Sequence, residues 1–177
     1  MPDPDQLAHF EAALLPHLDA AYNLARWLTR HDQDAEDIVQ EAYLRALRFF
    51  GGYQGQGGRA WLLKIVRNTY CTWAERQRPS AAALPFDEQL HVTDSAASPP
   101  DTALLQQANA ELLRAALAEL PTELREAIVL RELEGLSYKE IAGIVDAPLG
   151  TVMSRLSRGR QRLQAFVLDR AGKDGAA

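Results

Sequence analysis

Cysteine is nearly absent from this chain. Cys71 is the only one in 177 residues, so no disulfide can form within it, and no cysteine–histidine cluster offers itself to zinc. His9, His17, His31 and His91 are scattered along the sequence. Long apolar runs are also missing. No stretch approaches the roughly 18 consecutive apolar residues that read as a membrane helix. The first residues, MPDPDQLAHFEAALL, are acidic and lack the basic start and long apolar core of a secretion signal. Aromatic residues make up only 7%, and no segment alternates apolar and polar residues over a useful strand length. No Ser/His/Asp arrangement appears, and the glycine-rich GGYQGQGG at 51–58 has no phosphate-cradling lysine motif. These absences argue against membrane insertion, a metal site, a cofactor and catalysis. They point to a reducing cytoplasm.

What is present favours helix. Apolar residues reach 47%, and Ala, Leu, Arg, Glu and Gln dominate, so the expected fold is all-α. Residues 79–100 carry four prolines with many alanines and serines and no sustained period. That stretch reads as a flexible linker. It divides the chain into two small helical domains, 1–78 and 101–170, followed by a short polar tail at 171–177 expected to be disordered.

The net charge of −5 is unevenly spread. Residues 51–80 and 151–177 are each net +4, and the rest is acidic. Two basic islands in acidic surroundings suit contacts with nucleic acid on some faces and with another partner elsewhere.

The clearest motif is SYKEIAGIVDAPLGTVMSRLSRGRQRL, residues 137–163. Ser137 with Glu140 has capping-box spacing. Tyr138, Ile141, Ala142 and Val145 recur at helical intervals, and Asp146-Ala147-Pro148 stops that helix. In the helix after it, Val152, Leu156, Gly159 and Leu163 share an inward face. Ser154, Ser157, Arg158 and Gln161 lie opposite, flanked by Thr151, Arg155 and Arg162 on one side and Met153 and Arg160 on the other. Short polar groups and arginines on an exposed second helix suit the DNA major groove.

Upstream, residues 5–30 read as helix, kinked or restarted at Pro16, with Phe10, Leu14, Leu18, Tyr22 and Ala25 inward. Residues 33–50 form a helix that buries Ile38, Val39, Ala42, Ala46, Phe49 and Phe50. Its other face holds Asp37, Gln40, Glu41, Leu44 and Arg48, where an exposed leucine among polar groups hints at a protein contact. Residues 59–78 form a third helix. Leu62, Ile65, Val66, Thr69, Tyr70 and Trp73 project inward, and Lys64, Arg67, Asn68 and Cys71 outward. Trp61 falls at the edge of that polar face. It is placed either to stack on bases beside Lys64 and Asn68 or to tuck into the core. Residues 101–120 carry the apolar series Leu105, Ala108, Leu112, Ala115, Ala116 and Leu120. The next helix, to about residue 134, buries Leu124, Ala127, Ile128 and Leu130 or Leu133.

These pieces resemble one family. Asp34-Ala35-Glu36-Asp37-Ile38-Val39-Gln40-Glu41, then Trp61-Leu62 with Ile65 and Asn68, resembles the promoter-melting domain of extracytoplasmic-function (ECF) sigma factors of the sigma-70 class. Leu120-Pro121, Gly135-Leu136-Ser137-Tyr138-Lys139-Glu140-Ile141-Ala142 and Gly150-Thr151-Val152 with Ser154-Arg155-Leu156 resemble the family's second domain. The resemblance implies a three- to four-helix domain that binds core RNA polymerase and the −10 element, and a four-helix helix-turn-helix domain that binds the −35 element.

Residue by residue, it implies that Asp34, Glu36, Asp37, Gln40, Glu41 and Leu44 dock on the β′ clamp, with the second domain meeting the β flap. Tyr53, Gln54, Gln56, Trp61, Lys64, Arg67 and Asn68 would hold single-stranded −10 DNA. Thr151, Ser154, Arg155, Ser157, Arg158 and Gln161 would meet the double-stranded −35 element. Regulation by an anti-sigma factor acting in trans is expected on the same ground. Met153 departs from the family, where a basic residue often comes after Gly-Thr-Val, and one DNA contact is thereby removed. The competing reading is a stand-alone helix-turn-helix regulator, which leaves the acidic face at 34–44 and the Trp61 surface without a purpose.

Overall fold

The computed structural model describes residues 3–77 and 100–175. The linker expected at 79–100 lies outside these apart from Pro100, and the side chains of Leu105 and Ala108 are also outside those described. All regular structure among the described residues is helical, as expected from the composition. The elements are α1 (Pro4–Leu14), α2 (Leu18–Thr29), α3 (Asp32–Phe49), α4 (Gly58–Gln77), α5 (Pro100–Ala118), α6 (Thr122–Ile128), α7 (Tyr138–Val145) and α8 (Leu149–Asp174). A single π-helical turn, Val129–Leu133, continues α6. α8 runs to Asp174, so the tail expected to be disordered from 171 is helical that far.

Local chemistry sets the boundaries. Asp3 caps α1, accepting from the Asp5 N–H at 3.4 Å, and Pro4 occupies the first turn, where its missing N–H is harmless. Pro16 sits in a 3-10 turn, Leu15–His17, that separates α1 from α2. The turn resets the helical phase. Phe10 and Leu14 are buried, but Leu18, expected to continue their stripe, is 44% exposed. The buried face of α2 is instead Ala21, Leu24, Ala25 and Leu28. Arg30 ends α2 in the left-handed region (φ 64°), and Asp32 then accepts from both Arg26 and Tyr22, tying α2 to the start of α3.

Two similar resets follow, one correcting the expected burial of Phe49 and the other deciding between Leu130 and Leu133. α3 stops at Phe49 and passes into a 3-10 turn. Phe50 swings under Phe10 with ring centroids 5.2 Å apart, while Phe49 is left 61% exposed. In the π turn the Glu134 N–H reaches back five residues to the Val129 carbonyl at 3.0 Å. The wider turn shifts the helical phase, so Leu130 is fully buried and Leu133 points out. Leu63, absent from the expected inward face of α4, is fully buried because α4 is covered on two sides.

The two helical sets meet. α2 packs on α6 and α4 on α7, joining both cores. Arg125 is central to this junction. At the C-terminal end of α5 its guanidinium donates to the Leu117 carbonyl at 3.0 Å, which also accepts from the Leu120 N–H, and to the Leu120 carbonyl at 2.7 Å. Its third bond crosses to the Trp27 carbonyl of α2 at 3.0 Å. Burial is the main reason its pKa falls to about 10, and Arg30 adds to the effect. Nearby, burial raises the Glu134 carboxyl against the pull of Arg59 and of Asn23 on α2.

Candidate functional site

α7 and α8 form the helix-turn-helix. Both capping-box bonds are present: the Glu140 N–H donates to Ser137 Oγ at 3.1 Å, and the Ser137 N–H to Glu140 Oε2 at 2.8 Å. Asp146 closes α7 in the left-handed region (φ 54°), and its N–H bonds the Ala142 carbonyl. Ile144, missed by the sequence pattern, is buried beside Ile141 and Val145. Pro148 then opens α8, its carbonyl accepting from Thr151 and Val152 at 3.0 and 3.2 Å.

α8 buries Val152, Leu156 and Gly159, with Leu163 packed at the edge. Gly159 permits close approach to α6, because a Cβ there would lie 2.8 Å from Ile128 Cγ1. The opposite face presents Ser154, Ser157, Arg158 and Gln161 to solvent, as their spacing predicts. Thr151 and Arg155 are half-buried on its flank, and Arg155 lies 3.9 Å from Glu123. Met153 is 51% exposed. Arg160 is held away from that face by Glu132, which accepts from its Nε at 3.1 Å and its Nη2 at 2.6 Å. Arg131 donates to the Leu136 carbonyl at 2.8 Å and lies over the Tyr138 ring at 4.8 Å, bracing the π turn against α7.

The second basic island is the loop at 51–58 with α4. Tyr53 stacks on Phe50, centroids 5.3 Å apart, and Trp61 lies 5.1 Å from Tyr53. Both readings of Trp61 therefore hold in part: its ring leans on the Phe50 cluster and stays half-exposed. Gly55 and Gly57 adopt positive φ, which a side chain would oppose, and they let the loop close over this cluster. Gln54, Gln56, Lys64 and Asn68 are exposed. Arg67 is not. It is turned inward, 3.2 Å from Glu126 of α6.

The third surface is on α3. Glu36, Asp37, Gln40, Glu41 and Leu44 are exposed, Leu44 to 58%, and Asp34 is half-buried. Asp37 accepts from Gln33 at 3.4 Å, and Glu41 from Arg45 at 2.8 Å. Beside them runs a mostly apolar groove of about 580 Å³, lined by Phe10, Leu18, Tyr22, Val39, Tyr43, Leu44 and Leu47 and rimmed by Asp19, Glu36 and Gln40. Sequence reasoning missed the contributions of α1 and α2, because period alone assigns Leu18 and Tyr22 to the core. Among the described residues no group of histidine, cysteine and carboxylate side chains is arranged to hold a metal. Nor is any helix there long and apolar enough to cross a membrane.

Two family models match the chain: Sigma-70 region 2 over residues 14–79 and Sigma-70 region 4 over residues 110–163. The sigma-E factor of Haemophilus influenzae is 36% identical over 148 residues, 80% of this chain and 77% of that protein. The chain belongs to the ECF sigma factors of RNA polymerase. It is an alternative sigma factor for transcription initiation, and a stand-alone helix-turn-helix regulator is not favoured, because the N-terminal half matches its own sigma region.

Other ECF sigma factors agree. Escherichia coli sigma-E is 36% identical over 137 residues, 73% of this chain and 72% of that protein. SigE of Mycolicibacterium smegmatis is 37% identical over 168 residues, but this chain spans only 62% of its length. The same fold is found in the sigma factor RpoE of Bartonella quintana, solved with the anti-sigma factor NepR. It superposes with a TM-score of 0.74 at 29% identity, covering 89% of this chain and 96% of that one. CnrH, solved with the cytosolic domain of CnrY, shares the fold at a TM-score of 0.62 and 24% identity.

Proposed function

We propose that this chain binds bacterial core RNA polymerase through α3, directs it to promoters and helps open the −10 element, as a non-catalytic cytoplasmic protein. Residues 1–78 serve polymerase and −10 binding, 101–170 serve −35 binding, and the segment 79–100 links them. The observation that carries the polymerase role is the α3 surface, where exposed Leu44 and an acidic rim stand beside an apolar groove. A surface leucine at a groove edge, surrounded by acids, suits a partner helix that offers apolar and basic side chains. The β′ clamp is that partner in this reading, docking on Asp34, Glu36, Asp37, Gln40, Glu41 and Leu44.

The half-exposed rings of Tyr53 and Trp61 provide stacking surfaces for unpaired −10 bases. Gln54, Gln56, Lys64, Arg67 and Asn68 supply hydrogen bonds and charge for the strand. Ser154, Ser157, Arg158 and Gln161 read the −35 duplex, Thr151 and Arg155 grip phosphate, and the C-terminal half meets the β flap. An anti-sigma factor is a further partner in this reading, supported by the likeness to Bartonella RpoE, which was solved bound to one.

Run-off transcription with purified core polymerase on a genomic promoter pool tests the proposal. Discrete starts that appear only with the protein are expected, and Asp37→Arg with Gln40→Ala should abolish them while DNA binding by the helix-turn-helix persists. Starts unaffected by that double substitution would remove the docking role from α3.

A further inference from the structure

α6 lies between the two basic islands and touches a cation from each. Glu126 is only 3% exposed and sits 3.2 Å from Arg67 of α4. One turn earlier, Glu123 lies 3.9 Å from Arg155 of α8. The field of Arg155 also reaches Glu126, whose carboxyl is nevertheless raised by burial. Neither Glu126 Oε1 nor Arg67 Nε has a well-formed hydrogen bond, so their attraction is chiefly charge against charge. An apolar residue at 126 would fill a buried junction with no desolvation penalty, and a buried acid there is poor design for stability alone. The acid does do one thing an apolar residue cannot: it occupies the guanidinium of Arg67.

We propose that Glu126, assisted by Glu123, acts as an internal counter-anion that stands where DNA phosphate would, keeping Arg67 and Arg155 out of use until the two halves part. This rests on the assignment of those two arginines to DNA given above. The α3 groove and Leu44 stay open in the same arrangement. Polymerase can therefore engage the closed protein, while the full set of DNA-gripping cations becomes available only after opening. The device disfavours stray DNA binding by the free protein.

The salt dependence of DNA binding reads this directly. The probe is a fluorescent random-sequence duplex with a single-stranded overhang, titrated with the full chain at several salt concentrations. Each released cation steepens the slope of log K against log salt by about 0.7 on a single strand or about 0.9 on duplex. Between about 200 and 50 mM salt, that is about 2.6-fold extra affinity per cation on a single strand and up to about 3.5-fold on duplex. Glu126→Gln, which frees Arg67 for the single strand, should show the former gain. Arg67→Gln should cost less affinity in the parent than in the Glu126→Gln background, where it should abolish the gain. Glu123 is exposed, so Glu123→Gln folds regardless; it should show a smaller gain that disappears with Arg155→Gln.

Slopes and affinities unchanged in both glutamine variants would overturn the proposal. So would an Arg67→Gln loss in the parent as large as the loss in the Glu126→Gln background. Run-off transcription separates the two levels of argument. Unchanged slopes with intact transcription refute only the counter-anion, whereas no transcription from any form refutes the sigma reading beneath it.

Discussion

Gly159 sets how closely the DNA-reading helix α8 approaches α6, and replacing it with alanine isolates that packing. On an isolated helix the change should help by about 1 kcal/mol, since glycine leaves more backbone freedom to lose. Here the new methyl would meet Ile128 Cγ1 at 2.8 Å and Cδ1 at 3.1 Å. Ile128 is 3% exposed, and the closer atom is not the free end of its side chain, so it cannot simply swing away. Overpacking of this kind costs about 1–3 kcal/mol. The balance is a net loss of about 0–2 kcal/mol.

Urea unfolding of parent and variant measures this balance as a shift in midpoint at constant slope. Removing the obstacle should reverse the sign. In an Ile128→Ala background, itself weaker by about 2–5 kcal/mol, Gly159→Ala should stabilise by about 1 kcal/mol. If Gly159→Ala stabilises the parent by that same amount, the α6–α8 contact has slack, and the glycine is not what positions Ser154, Ser157 and Arg158.

Other substitutions probe the remaining supports. Ser137→Ala removes the capping-box acceptor of α7 and should lower stability by about 1 kcal/mol, read from thermal melting; an unchanged midpoint would mean that the cap is not formed in solution. Arg125→Met takes a donor from three carbonyls; Leu117 keeps the Leu120 N–H, so about 1–3 kcal/mol is lost at each of the other two. It should separate the halves before either unfolds, visible as a larger radius of gyration than the roughly 16 Å of a compact chain of this length. Tyr43 gives a pH signature. Burial is the main reason its hydroxyl rises from 10.0 to about 12, and it donates to the Leu14 carbonyl at 2.8 Å. The native state keeps that proton where the unfolded chain loses it. The Tyr43 contribution is therefore intact below pH 10 and declines between 10 and 12. Stability should fall with pH more steeply there in the parent than in Tyr43→Phe, and equal slopes would refute the assignment.

Much of this protein was legible from residue order because a helix face is a local property. Ser137 and Glu140 are three residues apart, so the capping box needs no tertiary information. The same holds for the split of α8 into a Val152–Leu156–Gly159 side and a Ser154–Ser157–Arg158–Gln161 side. The exposure of Leu44 among Asp37, Gln40 and Glu41 was readable for the same reason. Period alone failed or left a choice open wherever a non-α turn shifted the phase. Pro16 released Leu18, the 3-10 turn kept Phe50 inside but turned Phe49 out, and the π turn decided for Leu130 over Leu133.

Tertiary structure alone decided what lies between elements. The groove needs Leu18 and Tyr22 of α2 beside Tyr43 and Leu44 of α3. Leu63 is buried because α4 is covered from two sides. Arg67 reads from sequence as a free outward cation, yet its partner Glu126 comes from the other half of the chain. Periodicity states which side of a helix is apolar. It carries nothing about which distant helix arrives at the polar side, because that choice is made by the summed packing of both cores.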